Sequence, residues 1–313
     1  MVSKAKNFVS AVIYVHNAEA RIGGFLRTVM TVLEENFEYA EIICVNDHSE
    51  DNSVQVVREI SETAGSINVT VLNMSYFHGV EGAMNAGTDL TIGDFVFEFD
   101  NTFLDFEPAK IMEIYNRMLE GYDIVSAAPD RREKITSRIF YWVFDHSTEL
   151  SYKMRTESFR ILSRRVINRI SSMNKTVPYR KAVYANCGLK TDTLRYEVKR
   201  SNAVRTDKKE KDYRLGLAVD SLILFTEVGY RFSKGMTVLM MLVSIFMVAY
   251  SIIIYTSFHP VEGWTTTILF LSVAFFGLFG VLTVIIKYLQ LIVGLVFKRQ
   301  QYSFESIEKL TKK

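Results

Sequence analysis

The chain has 313 residues, 49% of them hydrophobic, and its 37 basic and 35 acidic side chains leave a formal net charge of +2. That balance lacks the basic excess of a nucleic-acid binder, and two cysteines are too few for a disulfide framework. Cys44 lies in an apolar run and reads as a small buried hydrophobe.

Taken in order, Phe8 to Val15 reads as a strand and Ala20 to Glu35 as a helix. Glu41 to Val45 is a second strand, followed by the turn NDHSED and a helix from about Ser53. Val69 to Asn73 gives a third strand, Val80 to Thr91 a helix, and Asp94 to Asp100 a fourth strand. Pro108 opens another helix, at the first turn where proline is tolerated, and Asp123 to Ala127 is a further strand. Strands alternating with helices predict a mostly parallel sheet covered on both faces, with ligands at the carboxyl ends of its strands. Polar clusters follow Val15, Val45 and Phe99, where that rule wants them.

Residues Glu133 to Leu194 are mixed, and Lys199 to Arg214 are strongly charged. Leu215 to Phe232 is amphipathic and reads as helix lying along a membrane surface, a solvated linker being the alternative. Met236 to Tyr255 and Trp264 to Ile286 contain no charged residue, and each reaches the ~20 residues that cross a ~30 Å hydrocarbon core. Arg231 and Lys234 precede the first stretch, Lys287, Lys298 and Arg299 follow the second, and the connection between them has no lysine or arginine. The positive-inside rule then places the large domain and both termini in the cytoplasm, at the inner membrane. The opening segment MVSKAKNFVSAVIYVHN lacks a signal peptide's long apolar region and cleavage site. The expected division is a catalytic domain over 1–214, a juxtamembrane segment over 215–234, a two-helix transmembrane hairpin within 235–297 (spans about 236–256 and 264–286), and a tail over 298–313.

Three segments in series carry a family resemblance: SAVIYVHNAEA, EIICVNDHSEDNS and GVEGAMNAGTDLTIGDFVFEFDNT. They are similar to the first strand, the VDDGS segment and the DxD-bearing strand of family 2 glycosyltransferases. ESFRILSRRVINRI resembles a segment of the polyprenyl-phosphate sugar transferases, a branch that includes dolichyl-phosphate mannose synthases. The paired apolar stretches and FKRQQYSFESIEKL resemble the end of bactoprenol glucosyltransferases.

The resemblance implies a GT-A nucleotide-diphospho-sugar domain, an α/β Rossmann-like fold, followed by juxtamembrane helices and the hairpin. It implies inverting transfer of a hexose from a nucleotide sugar, UDP-glucose first, to a polyprenyl phosphate in cell-envelope glycan synthesis. Membrane and lipid are the expected partners, homo-oligomers are possible in such a family, and nucleic acid is not expected.

A diphosphate leaving group departs more easily when a divalent cation, Mg2+ or Mn2+, bridges its oxygens, and such ions want carboxylate ligands. The DxD position here reads Asp100-Asn101-Thr102, so one carboxylate remains, with Asp105 nearby. By resemblance, Asp100 is the metal ligand and, with Arg131, a catalytic residue. Tyr14, Asn17, Glu19, Asp47 and Asp100 line the nucleotide site, Asp47 taking a hydrogen bond from the base. Arg131, Arg132, Arg138, Arg200 and Arg205 are placed on the acceptor phosphate, for which the guanidinium fork suits. His16, His48 and His78 have no zinc-ligand spacing and read as ordinary surface or pocket histidines. Two rivals stand beside this reading: a non-catalytic membrane protein that keeps the fold, and a transferase with a saccharide acceptor.

Overall fold

The computed structural model describes residues 4–130, 156–172, 179–198, 264–297 and 302–311, with isolated positions between them. Eight strands lie in one sheet: β1 Ala5–Val15, β2 Phe37–Asn46, β3 Asn68–Met74, β4 Phe95–Phe99, β5 Ile124–Pro129, β6 Phe159–Ser163, β7 Thr191–Tyr196 and β8 Phe304–Lys309. The described helices are α1 Glu19–Asn36, α2 Ser53–Ser61, α3 Gly79–Asp89, α4 Ala109–Leu119, α5 Arg164–Ser172, α6 Arg180–Asn186 and α7 Trp264–Phe297. The chain divides into two compact units. One comprises Met1–Asp145, Glu149–Leu217 and Gln300–Lys313 and holds the sheet; the other comprises His146–Thr148 and Ala218–Arg299 and holds α7.

The strand order is β7-β5-β6-β4-β1-β2-β3-β8. β1 pairs in parallel with both β2 and β4, and β2 with β3, as the alternating pattern predicts. β1 is buried on both faces, and successive side chains feed different cores. Val9, Ala11, Ile13 and Val15 join the apolar stripe of α1 (Ile22, Phe25, Leu26, Val29, Leu33) together with α2 and α4. Val12 and Tyr14 join Ala83, Met84 and Ala86 of α3 and Val166 of α5 on the opposite face.

The small residues of α3 let its backbone press on the sheet. A Cβ on Gly87 would stand 2.5 Å from both Val12 Cγ1 and Val45 Cγ2, inside van der Waals contact. Gly87→Ala is therefore expected to lower the unfolding free energy by about 1–3 kcal/mol, against a helix-propensity gain of at most ~1 kcal/mol. Urea denaturation reads this directly, and a rise in the midpoint would contradict the close packing.

The expected strands and helices up to residue 128 are all present, with shifted ends. β2 begins at Phe37, earlier than its apolar run, because α1 passes into it without a loop and the buried Phe37 anchors the junction. β6, β7 and β8 were not anticipated. β6 runs antiparallel between β4 and β5, and β8 antiparallel along the outer edge of β3, so the segment expected as a tail completes the sheet.

Among the described residues, no helix is long and apolar enough to cross a membrane. The expected span 236–256 lies mostly outside the described residues. The expected hairpin is thus not a described feature.

Candidate functional site

β1 is flanked by β2 on one side and β4 on the other, so the strand order reverses there. Crevices at such a switch point, outside the carboxyl ends of the strands, are where open α/β sheets take ligands. The segments leaving these three strands carry Tyr14 to Glu19, Asn46 to Ser53 and Asp100 to Asp105.

At the end of β2, Asp47 is wholly buried. Its Oδ1 accepts the backbone N–H of His78 at 2.8 Å and its Oδ2 accepts the Tyr14 hydroxyl at 3.0 Å. His16 Nδ1 lies 2.7 Å from the Asp47 carbonyl and therefore carries the proton donated to it. Burial pushes the Asp47 carboxyl above its ordinary range; the hydrogen bonds from His78 and Tyr14 offset only part of that. Tyr14 and Asp47, both expected in the nucleotide site, are thus joined directly.

Asn17 and Glu19 serve the same corner differently. Asn17 adopts the left-handed region with φ 44°, which asparagine tolerates better than most residues. Its Oδ1 accepts the Glu50 N–H at 2.9 Å, and its own N–H donates to Ser49 Oγ at 3.2 Å. Glu19 accepts both the backbone N–H and the side-chain amide of Asn52, each at 3.2 Å. These residues tie the loop after β1 to the loop after β2, and their polar atoms are engaged within the protein.

Asp100, at the end of β4, sits over a buried ionic network. Arg160 from β6 donates to Asp100 Oδ2 at 2.6 Å, to Glu98 at 3.0 Å and to Glu157 at 3.2 Å. Arg180, at the start of α6, donates its backbone N–H and Nε to Glu81, at 2.9 and 3.0 Å, and an Nη to Asp100 Oδ1. Glu98 is held further by the hydroxyls of Thr88 and Tyr184. Both guanidiniums are buried, as is allowed only for paired charges. Burial alone would raise the Asp100 carboxyl, but Arg160 and Arg180, with Lys181, outweigh it and hold the group far below the usual carboxylate range. Sequence reasoning assigned no role to Arg160, Arg180, Glu81 or Glu98. The signal available was an arginine set among the apolar residues of FRILS, which needs a buried carboxylate wherever that run becomes a strand.

The remaining assignments separate clearly. Thr102 is buried and accepts from Arg21 Nε at 3.4 Å, while Asp105 is buried and accepts the Tyr196 hydroxyl at 2.9 Å. Arg131, Arg132, Arg138, Arg200 and Arg205 lie outside the described residues. His78 is a structural pocket histidine: Nδ1 faces the Tyr76 carbonyl and Nε2 accepts the Ser303 N–H at 3.0 Å. Cys44 is buried and burial pushes its thiol up to about 12, which makes it inert.

No group of three His, Cys, Asp or Glu side chains is arranged to hold a metal ion among the described residues. Asp100 nevertheless fits a divalent cation as one ligand of several. Its side chain is ionised and 16% exposed, and the network sets four carboxylates against two guanidiniums, leaving negative charge in excess. The rest of a coordination sphere has to come from the ligand and water.

Comparison with known proteins agrees with this geometry. The family described as Glycosyl transferase family 2 matches residues 10–173. An uncharacterised glycosyltransferase of Synechocystis is 30% identical over 186 residues, which is 58% of this chain and 58% of that protein's own length. The bactoprenol glucosyl transferase of Shigella phage SfX is 25% identical over 86% of this chain and 88% of its own. Among solved structures, a mannosyltransferase of Pyrobaculum calidifontis in complex with GDP-mannose and Mn2+ superposes with a TM-score of 0.50 and 14% identity. It covers 70% of this chain and 63% of that one, a likeness of fold.

Proposed function

The chain belongs to glycosyl transferase family 2 and is a transferase of that α/β fold. From that premise we propose that it moves a hexose, UDP-glucose being the first choice of donor, to a polyprenyl phosphate with inversion at the anomeric carbon. The observation that carries the donor half is the meeting of Asp47, Tyr14 and Asp100 at the switch point of the sheet. In this reading Asp47 would take the hydrogen bond from the base, and the exposed edge of Asp100 would meet the diphosphate. A divalent ion held by Asp100 and the donor's phosphate oxygens would supply Lewis-acid charge to the departing diphosphate.

The lipid half is supported by names of relatives. Besides the phage bactoprenol glucosyl transferase, an undecaprenyl-phosphate 4-deoxy-4-formamido-L-arabinose transferase of Aeromonas hydrophila is 32% identical over 40% of this chain. A phosphate oxygen of the acceptor forms the new bond to the anomeric carbon as the bond to the diphosphate breaks, and the nucleoside diphosphate leaves with the electron pair. That oxygen is already ionised at neutral pH, so the step needs no strong general base.

Attachment to the inner membrane, catalytic domain inward, belongs to the same proposal. It is supported by α7, on which Phe276, Phe279, Leu278, Ile285, Ile286 and Leu289 expose half or more of their surface. Such a face is rare in water and ordinary in lipid.

Two measurements test the reading. Because no group of three metal-ligating side chains is found among the described residues, Mn2+ is expected to bind at least tenfold more tightly when UDP-glucose is present, and Asp100→Asn to abolish that gain. Calorimetry of Mn2+ with and without the nucleotide decides it, and equal affinity in both would remove Asp100 from the metal's coordination. Radiolabelled donor incubated with polyprenyl phosphate in vesicles is expected to give labelled lipid; a water-soluble product alone would overturn the lipid acceptor.

A further inference from the structure

The donor pocket is held from behind by a strand that comes from the far end of the chain. β8 pairs with β3 from Thr70↔Lys309 to Met74↔Phe304. The pairing runs past the strands: the Ser75 N–H donates to the Ser303 carbonyl at 3.1 Å, and the Ser303 N–H donates to His78 Nε2 at 3.0 Å. His78 in turn gives its backbone N–H to Asp47 Oδ1 at 2.8 Å. Two hydrogen bonds therefore connect Ser303 to the carboxylate proposed to read the base. With Nδ1 turned to the Tyr76 carbonyl, the imidazole has its acceptor nitrogen free for Ser303, so the neutral ring is a fixed strut.

The turn being braced is tight and aromatic. It passes through Gly79 at φ +76°, a conformation open to glycine, and a Cβ there would meet the Tyr213 ring at 2.2 Å. Its neighbours Tyr76 and His78 stack at 4.0 Å between ring centroids, and Phe77 packs on His16 at 4.8 Å. Movement of His78 would shift Asp47, Tyr14 and His16 together.

We propose that residues 302–311 are a positioning element of the donor site, with Ser303 and His78 as the positioning residues that set Asp47 for the nucleotide. The proposal rests on the donor reading given above. The strand's remaining contacts fit an anchoring role. Arg58 pairs with Glu308 at 2.8 Å, Asn73 donates to Ser306 and Glu308 at 3.0 and 2.8 Å, and the Val69 N–H donates to Thr311 Oγ1 at 2.9 Å. These hold β8 in register whatever happens at Ser303.

The test uses the full chain with three variants: Ser303→Pro, which deletes the donated N–H just before β8 begins; His78→Leu, which deletes the acceptor; and His78→Gln, whose amide oxygen can replace it. One neutral hydrogen bond is worth about 0.5–1.5 kcal/mol, so Ser303→Pro and His78→Leu are expected to weaken UDP binding about three- to tenfold. They should raise the donor KM likewise with kcat within about twofold, and speed hydrogen exchange at the His78 amide; His78→Gln should restore affinity. Wild-type binding of UDP that both variants match within about twofold, or unchanged exchange at His78, overturns the positioning role alone. Failure of the wild type to bind UDP, GDP or their sugars overturns the donor reading and the inference with it.

Discussion

Arg160→Ala is expected to cost about 3–5 kcal/mol of stability, the usual penalty for leaving buried charge uncompensated. Arg160 is 1% exposed and is a partner of Glu98, Asp100 and Glu157; its loss leaves Glu98 and Asp100 to Arg180, which already serves Glu81. Asp100→Asn removes an anion from a network that has them in excess, so both guanidiniums keep partners and the loss is expected to be the smaller of the two. Urea unfolding of both variants at neutral pH checks the order. A larger loss for Asp100→Asn would mean that the network is not limited by cations.

The pH dependence follows from the same arrangement. Asp100 has a folded-state pKa below its unfolded value near ~3.9. Its contribution is therefore fully present above the unfolded value and is lost only as pH falls through the folded one.

Asp47→Asn has the opposite thermodynamic sign and a larger functional effect. The Asp47 pKa is raised on folding, so stability from its protonated form is present below the unfolded value and is lost as pH rises through the folded one. At neutral pH the carboxylate is a cost to the fold. An asparagine there keeps an oxygen for the His78 N–H, and the Tyr14 hydroxyl can rotate to accept from its amide. The variant is expected to unfold at an equal or higher temperature at pH 8. It should also bind nucleotide about 10- to 150-fold more weakly, the span for losing about 1.5–3 kcal/mol from a charged hydrogen bond. Loss of stability with unchanged affinity would show that Asp47 holds the loops and not the base.

Legibility in the sequence followed the physics of each segment. β1 to β5 and their helices announce themselves because strands buried on both faces are nearly continuous apolar runs, as VSAVIYV is, and the helices carry regular stripes. Tyr14, Asp47 and Asp100 lie where their sequence places them, at or just past the ends of three recognisable strands. β8 was not legible, because FESIEK carries apolar residues only at Phe304 and Ile307, three apart and without a strand's alternation, and its partner lies far back in the chain. The salt-bridge network was illegible for a related reason. Glu81, Glu98, Arg160 and Arg180 come from four separate elements, and no local spacing relates them. The metal expectation was read from one carboxylate in DNT; the network explains how that single aspartate stays ionised beside so much negative charge.

The closing of the sheet by β8 also sets an order of events during synthesis. Ser306 follows its partner Asn73 by 233 residues, so at roughly 5–20 residues per second the β3 edge waits about 12–47 s for its mate. Throughout that interval a ribosome-bound chain presents an unpaired, parallel-sheet edge, which is a template for pairing with any other extended segment. Lys309 and Glu308 later cover it; until then, chaperone occupancy of nascent chains should be highest after β3 emerges and fall only when β8 does.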